Sequence, residues 1–517
     1  MLTSAHVSYI TPLNEDWFAY GMPKSLETSL GKNTSAINTI KDWLKKSSEI
    51  ALEELAKSNF YTVIHGLFKD RSTLGTACMI LLKSQSQTSG SLFNFRHIAA
   101  GTYVFTEDDD GKPKEFGYER KLTLAQAIDE YGEEPGVWGD KVSGLIAATK
   151  EDPSKLYSEK ITVIIWIRPN DDEYRESGKS DIKNKVYLES HIAKEDPEHE
   201  VKLGGYDEFP VCITRYEKWG NERWGFAPTW NAMVNVLSAN YIKKLVKTMG
   251  EISLFPRILK LSGQKRQVSL KAGGQTIVSE KEAQMGFPKE WGTNARFDAA
   301  EMLLAQEHES IEQFFHVPLF RMFATLDKTM TATEVAARER EKLLLFAPSF
   351  TQFVTDLGPT MLRIFAMLAR EGVLPAPPQE MAEYTEVTDT AKIRIPNPEV
   401  VFQSRVALAI KALAAEGFDR VMMRWTPMLE VYPQIVDNLE ADNAFRDMMQ
   451  SEGLRARWIR PWKEVEELRA ARQEQEQMQN ELAAAESMTK SLQQAGGVEG
   501  AQQIADTMAG PENVPDA

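Results

Sequence analysis

Cysteine is scarce in this sequence, which has only Cys78 and Cys212 among its 517 residues. Each lies in an apolar run, so we expect two buried, reduced thiols and no disulfide framework. No apolar run reaches the roughly 20 residues of a membrane-spanning helix, and the amino terminus lacks a basic region followed by an apolar one. These absences predict a soluble intracellular protein without a membrane partner.

Residue patterns that carry catalysis are also missing. The seven histidines are widely spaced, and His308 and His316 lack the acidic third ligand of a zinc site. The triplet at 178–180 (GKS) resembles the end of a phosphate-binding loop, but Glu173 stands where that loop requires glycine. The sequence has no GxSxG elbow and no CxxC pair. We therefore predict no catalytic residue, no metal site and no cofactor.

Positive charge is in deficit, since 60 Lys and Arg face 75 Asp and Glu for a net charge of −15. Affinity for nucleic acid comes chiefly from cations that neutralise phosphates, so this balance argues against a surface that coats DNA. An acidic wall repels a duplex and keeps it from sticking. The charge is therefore compatible with a conduit for DNA and not with a clamp.

The first half of the chain mixes helical and strand patterns. Apolar spacing predicts a helix over 35–58, and helical character continues over 59–82 into the apolar run 77–82. Strands are predicted over 92–120, with a turn at 108–111 (DDDG). Further strands are predicted at 161–167 and 209–216, separated by a polar surface excursion over 170–200. Together with the helices described next, this pattern predicts an α+β, mainly helical fold.

The second half is predominantly helical. A helix without glycine or proline is predicted over 229–249, and a second over 296–315, on either side of short strands and turns at 254–294. A long helical region follows over 333–370, in which Pro348 and Pro359 mark kinks or boundaries. Residues 402–470 are predicted to be mainly helical, and beyond 463 a Glu/Gln/Ala-rich helix leads into a flexible tail. Two long helices that bracket a compact insert let one chain connect two levels of an assembly.

Several segments together resemble the podovirus head-to-tail connector family of bacteriophage portal proteins. They are 58–61 (SNFY) with 74–77 (LGTA), 209–211 (FPV) through 215–216 (RY) with 224–228 (WGFAP), and 330–335 (MTATEV) with 372–375 (GVLP). Their order and spacing extend the resemblance over about 55–470. Members of the family usually carry a further helical stretch before the segment at 10–18 (ITPLNEDWF), so this chain is expected to be short at its amino end.

The resemblance implies a portal fold with named sections. They are a wing at 1–225, stem helices at 226–252 and 296–316, a small β-rich clip at 253–295, a tunnel loop at 317–332, a long helix and wing return at 333–399, a helical crown at 400–470, and a C-terminal helix with a flexible tail at 471–517. It further implies a homo-dodecameric ring at one capsid vertex, assembled in the host cytoplasm. Its implied partners are the terminase large subunit, tail adaptor proteins, major capsid and scaffolding proteins, and double-stranded DNA that passes through without sequence specificity.

Candidate functional residues follow from the same resemblance. In the tunnel loop they are Arg321, Lys328, Thr329 and Met330, of which Arg321 and Lys328 either are simply exposed or face the bore and touch phosphates. In the clip they are Arg257, Lys260, Lys265, Arg266 and Lys271, either a solvated basic turn or a docking surface for terminase and adaptor. On the first stem helix they are Lys243, Lys244 and Lys247, which either line the bore or, as we slightly favour, compensate the helix C-terminus.

Two further expectations concern helix ends and faces. Thr331 and Glu334 have the spacing of a capping box that begins the helix after the tunnel loop, although a plain helix start explains them equally well. The first stem helix has an apolar stripe that we assign to packing between neighbouring subunits. The stripe comprises Val234, Leu237, Tyr241 and Leu245. A protein of another class, a virion or tail structural protein that forms no ring, stays open as the alternative.

Overall fold

The computed structural model describes the chain over residues 2–30, 33–84, 90–134, 136–171, 181–255, 257–259, 269, 276–284, 286, 289–291, 297–318, 347–379, 381, 386–387, 393–394, 397–404, 406–407, 421, 423–424, 440–451, 459–460 and 462–494.

The described helices account for more of the chain than the strands do. They are α1 (Leu2–Ile10), α2 (Lys24–Leu30), α3 (Thr34–Lys57), α4 (Phe60–Leu74), α5 (Leu124–Tyr131), α6 (Asp140–Ala148), α7 (Lys155–Ser158), α8 (Pro228–Leu254), α9 (Glu280–Gln284), α10 (Phe297–Phe314), α11 (Ala347–Arg370), α12 (Ala441–Ser451) and α13 (Trp462–Gln494). The predictions over 35–58, 229–249 and 296–315 are confirmed within a few residues at each end.

The strands form antiparallel sheets. They are β1 (Phe18–Gly21), β2 (Thr76–Lys83), β3 (Phe93–Ile98), β4 (Tyr103–Glu107), β5 (Pro113–Thr123), β6 (Lys160–Pro169), β7 (Tyr187–Ala193), β8 (Glu200–Tyr206), β9 (Val211–Arg215), β10 (Arg257–Leu259), β11 (Lys289–Trp291), β12 (Glu386–Val387), β13 (Ile393–Arg394) and β14 (Glu399–Phe402). The predicted α+β, mainly helical class is confirmed by these elements.

The sheet β3-β2-β9 separates two apolar cores. Side chains alternate between the faces of a strand, so Met79 and Leu81 of β2 enter the core shared with the helices. Cys78 and Ile80 enter the core shared with the second sheet. Because both faces are covered, the strand is apolar almost throughout. Both cysteines are buried and free, as predicted.

The prediction that residues 59–82 continue helically is wrong for their last third. Helix α4 ends at Leu74, and Gly75 closes it in the left-handed conformation with φ +90°. Glycine adopts this conformation without the steric cost that a Cβ atom imposes. The following apolar run therefore leaves the helix as strand β2, which pairs with β3 and β9.

The second sheet is the meander β4-β5-β6-β7-β8. Its first turn confirms the predicted hairpin: Gly111 has φ +73°, and the Lys112 amide donates to the Asp108 carboxylate at 2.7 Å. The predicted surface excursion over 170–200 is wrong for β7, where Ser190 and His191 are buried. The polar imidazole of His191 can be buried because its Nδ1 lies 2.8 Å from the Tyr131 hydroxyl, within hydrogen-bond distance.

Helix α11 lies along the helical core and contacts β9. Its buried side is a continuous apolar stripe that includes Phe353, Leu357, Met361, Ile364 and Leu368. Pro359 stands inside the helix, and Gly372 follows its end with φ +69°. The predicted helical region therefore ends where expected, while its start, together with Thr331 and Glu334, lies outside the described residues.

The amino-terminal strand β1 pairs with β14, so that Tyr20 lies opposite Val400. The Tyr20 hydroxyl also donates to the Met361 carbonyl at 3.0 Å. Trp17 and Phe18 are fully buried beside Phe402. This closure joins the beginning of the chain to a segment predicted to start the crown, and no local sequence pattern indicated it.

Candidate assembly surface and its anchorage

Helices α8 and α10 form a two-helix hairpin whose far end carries the short sheet of β10 and β11. Asn235 and Ser238 of α8 both donate to the Glu307 carboxylate of α10, at 2.8 and 2.7 Å. Strand β10 follows α8, strand β11 precedes α10, and the two strands pair antiparallel. The end of α8 therefore lies near the start of α10, and the two helices run in opposite directions. Hydrogen bonds to a charged group fix the relative height of the two helices.

The side of α8 that faces away from α10 is apolar and uncovered in the single chain. Its members recur at intervals of three and four residues, which places them on one face of a helix. They are Trp230 (52% exposed), Val234 (75%), Leu237 (63%), Tyr241 (64%) and Leu245 (43%). This stripe contains the four residues predicted from the sequence and extends one turn further, to Trp230.

The two helices differ in charge. Helix α10 contains five acidic residues and no Lys or Arg, whereas α8 contains Lys243, Lys244 and Lys247 and one acidic residue, Glu251. All three lysines are exposed. Lys247 lies seven residues before Leu254, where α8 ends. The helix dipole acts within the last turn, so the prediction that these lysines compensate the helix C-terminus is wrong.

Most of the other predicted site residues lie outside the described residues. They are Lys260, Lys265, Arg266 and Lys271 of the clip, and Arg321, Lys328, Thr329 and Met330 of the tunnel loop, with Thr331 and Glu334 of the capping box. The backbone of Arg257 lies in β10, opposite Trp291. At the end of α10, His316 has φ +53°, an uncommon conformation for a residue with a side chain.

The junction between the body and α8 is a contact between two glycines. The Tyr216 amide donates to the Gly75 carbonyl at 2.9 Å, and the Gly225 amide donates to the Thr76 hydroxyl at 2.7 Å. A Cβ atom on Gly75 would lie 2.0 Å from the Gly225 carbonyl oxygen. Two of the motifs that carry the family resemblance therefore meet in space, and their glycines allow α8 to leave the body at this point.

Buried arginines connect this junction to α11, and sequence reasoning missed them. Arg71 donates through Nε to the Arg215 carbonyl at 2.9 Å and through Nη2 to the Ser349 carbonyl at 2.5 Å. Arg215 forms an ion pair with Glu107, and its amide donates to the Asp356 carboxylate at 2.8 Å. Burial raises the pKa of Asp356, and the charges of Arg215 and Arg71 oppose that rise. Separating these buried arginines from their partners would leave uncompensated charges in the interior. The contacts therefore hold α4, β9 and α11 together.

A second arginine cluster holds the other end of α11. Arg363 donates to the Glu208 carbonyl at 2.7 Å, and its guanidinium lies 5.1 Å from the centre of the Tyr206 ring. Arg370 forms a two-pronged contact with the Glu208 carboxylate. Helix α11 is therefore attached at both ends to the segment that leads into α8.

His6 of α1 lies beside the first arginine cluster and is 2% exposed. Burial, with the charge of Arg71, lowers its pKa from 6.5 to about 3. Protonation therefore favours the unfolded chain, and the free energy of unfolding should fall as the pH drops from 6.5 toward 3. The slope from this one group is up to about 1.4 kcal/mol per pH unit.

We expect the His6→Phe variant to lose less stability than the wild type between pH 7 and pH 5, measured by urea unfolding at both values. His65→Gln serves as the matched control, because His65 is exposed. Equal losses in the wild type and in His6→Phe would show that His6 does not carry this dependence.

The described residues contain no group of three or more His, Cys, Asp or Glu side chains that could hold a metal ion. Among those same residues, no helix has both the length and the apolar composition to cross a bilayer. The features that stand out are instead an uncovered apolar stripe, a charged hairpin and a rigidly held junction. These are properties of a protein that assembles with other copies or partners.

Comparison with known proteins identifies the family. A family model described as bacteriophage head to tail connecting protein matches residues 1–460. The probable portal protein of Bordetella phage BPP-1 is 26% identical over 90% of this chain and 80% of its own length. The portal protein of Salmonella phage epsilon15 is 23% identical over 93% of this chain and 82% of its own length.

Among solved structures, a chain from the virion of a native gene transfer agent particle is 12% identical. The match covers 79% of this chain and 90% of that chain, with a TM-score of 0.27. The family model, by contrast, spans most of the sequence and confirms the resemblance of its motifs. The chain belongs to the bacteriophage head-to-tail connecting protein family.

Proposed function

We propose that this chain is one subunit of a phage portal, a ring at one capsid vertex through which double-stranded DNA enters and leaves. Membership of the connecting-protein family supports this role, and the names of the two phage relatives agree with it. The observation that carries the proposal is the exposed apolar stripe of α8. Large apolar patches on a protein surface mark interaction sites, and a ring covers this one in every copy.

The hairpin supplies two unlike surfaces, which is what a ring requires. A contact between different patches on identical copies either closes into a ring or continues as a filament. The outer side of α8 is apolar and flanked by lysine, whereas exposed positions on α10 carry Asp298 and Met302. We therefore assign the contact between neighbours to the stripe of one copy and α10 of the next.

The heights of the charged residues support this pairing. Asn235 and Ser238 lie level with Glu307. With a rise of 1.5 Å per residue, Lys244 and Asp298 lie roughly 11 and 14 Å from that level, both toward the β10–β11 end. Rotation about a ring axis keeps each residue at the same height in every copy. For stem helices that run along the ring axis, we therefore assign an ion pair to Lys244 of one copy and Asp298 of the next.

The sections implied by the resemblance become proposals with adjusted bounds. We assign the stem to α8 and α10, the clip to the segment that includes β10 and β11, and the wing to the two cores that end at the Gly75–Gly225 junction. The tunnel loop, with Arg321 and Lys328, is assigned to the segment that joins α10 to α11. In this arrangement the ring is a dodecamer, the clip binds terminase and later the tail adaptor, and the duplex touches the bore without base contacts.

Ring formation by charge variants tests the proposal. We expect the purified wild type to form closed rings with a central hole of about duplex width, and Lys244→Glu to weaken assembly roughly tenfold. Adding Asp298→Lys to that variant restores the opposite charges and should recover most of the loss. Native mass measurement and negative-stain imaging give the copy number and the shape.

Each outcome has a distinct meaning. A wild-type protein that stays monomeric at every concentration overturns the portal proposal, and an open or irregular assembly supports the structural protein without a ring. Rings that form equally well in Lys244→Glu overturn only the assigned pairing. Lys150→Glu is the control, because Lys150 is an exposed lysine outside the hairpin.

A further inference from the structure

The last turn of α4 holds the segment from which α8 starts. The Ser72 carbonyl accepts a hydrogen bond from the Thr229 hydroxyl in the first turn of α8, at 3.4 Å. Arg71 donates through Nε to the Arg215 carbonyl, and Arg215 donates through its own Nε to the Arg223 carbonyl at 2.8 Å. Arg223 lies in the loop just before α8, so two buried arginines connect α4 to the base of the hairpin.

The end of α10 and the start of α11 reach the same turn of α4. The Ser72 hydroxyl lies 3.4 Å from Nδ1 of His6. Burial and the charge of Arg71 lower the pKa of His6, and the charge of His316 adds to this effect. His316, just beyond α10, therefore lies close to His6. Since Arg71 also donates to the Ser349 carbonyl at the start of α11, both helices of the hairpin and the helix that follows them meet the body at this turn.

Arg71 is the centre of these contacts. Its side chain is fully buried, and its guanidinium lies 5.2 Å from the centre of the Tyr216 ring and 5.4 Å from that of the Phe353 ring. The rings restrict the guanidinium, and its N–H donors form a rigid fork, so they point in fixed directions. Arg71 thus fixes β9 and α11 relative to α4 with directed hydrogen bonds, which a flexible or apolar side chain cannot do.

The angle between the hairpin and the body is important in a closed ring. Neighbouring copies are related by one rotation, and that rotation has to bring the hairpins together and the bodies together at the same time. Rings of twelve and thirteen copies differ in this rotation by about 2°. A hairpin that tilts slightly against its body therefore lets the same contacts close rings of different size.

We propose that Arg71 is a positioning residue that sets the angle of the hairpin to the body and thereby the number of copies in the ring. The inference rests on the proposed ring, and it assigns the size of that ring to a buried contact outside the surface between subunits. Loss of Arg71 leaves the α8 stripe and its partner α10 unchanged, so rings still form. Their size is then no longer unique.

Replacing Arg71 by methionine in the full-length protein tests this role, because methionine keeps an unbranched stem but has no N–H donor. Arg363→Met is the matched control. Arg363 is also buried, at 4% exposure, donates to the Glu208 carbonyl and lies over the Tyr206 ring. Among the contacts of the described residues, it has none with α8, α10 or residues 215–227. Urea unfolding gives the stability of both variants.

Native mass measurement on purified rings gives the distribution of copy numbers. We expect the share of rings that depart from the main wild-type copy number to rise at least about threefold in Arg71→Met and to stay unchanged in Arg363→Met. An unchanged distribution in Arg71→Met, or an equal rise in Arg363→Met, overturns the inference and leaves the proposed function standing. If Arg71→Met does not fold, the same criterion is applied to Arg71→Lys, which keeps the charge without the rigid fork of donors.

A distance measurement reports the angle directly. Spin labels on Thr62→Cys in α4 and Asn240→Cys in α8 measure the separation of body and hairpin, in rings diluted with unlabelled subunits. Both native residues are exposed, and the two native cysteines are buried. The distance distribution should be broader in Arg71→Met than in Arg363→Met. Equal widths overturn the role of Arg71 even where rings form, and absence of rings in the wild type overturns the proposed function itself.

Discussion

Replacing Leu237 and Tyr241 by aspartate is expected to leave a folded chain that no longer assembles. Both side chains are more than 60% exposed in the single chain, so the cores of the subunit do not depend on them. Burial of a large apolar side chain contributes roughly 1.5–3 kcal/mol, and an unpaired carboxylate at the same place adds a desolvation cost. Since the contact recurs between every pair of neighbours, the loss affects the whole ring.

Size-exclusion chromatography with light scattering measures this result, and thermal unfolding checks that the monomer is folded. The matched control is the double variant Val104→Asp and Tyr157→Asp, which changes two equally exposed apolar side chains in the body, at 68% and 73% exposure. We expect this control to assemble normally. If the Leu237 and Tyr241 variant still forms rings of full size, the stripe is not the contact between subunits.

Alanine at Gly75 or Gly225 is expected to destabilise the chain more than alanine at Gly220 or Gly144. At Gly75 the new Cβ would lie 2.0 Å from the Gly225 carbonyl oxygen, and the backbone has φ +90°. At Gly225 it would lie 2.2 Å from the Gly75 carbonyl oxygen. The neighbour in each case is backbone and cannot move aside, so we expect a loss of more than about 3 kcal/mol in the free energy of unfolding.

Two other glycines separate the steric clash from the conformational cost. Gly220 has φ +57° with no atom near the position of a Cβ, so Gly220→Ala should cost about 1 kcal/mol from backbone strain alone. Gly144 lies in α6 with open space around it, and Gly144→Ala should be neutral or stabilising. Chemical denaturation ranks the four variants. Gly75→Ala as stable as Gly220→Ala would rule out the close contact.

Local patterns were sufficient for the hairpin. The apolar spacing over 229–249 and 296–315 predicted α8 and α10 to within a few residues, because each helix is long and lacks internal proline. The stripe that includes Val234 and Leu237 was also predictable from the sequence. Apolar residues that pack against another subunit have the same helical periodicity as residues that pack in a core. The positions of the charged residues follow directly from the sequence. Whether Lys243 lies in the last turn of α8 depends on where that helix ends, and the sequence pattern did not place the end at Leu254.

Contacts between distant segments were not predictable from one sequence. No local pattern marks Arg71 and Arg215 as buried, because their burial depends on carbonyl groups supplied by residues as far away as Ser349. Strand β7 read as polar because the partner of His191, the Tyr131 hydroxyl, belongs to another element. The contact between Gly75 and Gly225 could not be inferred from local spacing.

The pairing of β1 with β14 has a consequence for synthesis of the protein on the ribosome. The Tyr20 hydroxyl reaches Met361 across 341 positions of sequence, and β1 finds its partner only at Glu399–Phe402. The helical core therefore cannot close until most of the polypeptide has emerged, and pairings this remote in sequence form late and slowly. The core of a nascent chain therefore stays incomplete until about three-quarters of the polypeptide has been made, which delays the appearance of an assembly-competent subunit.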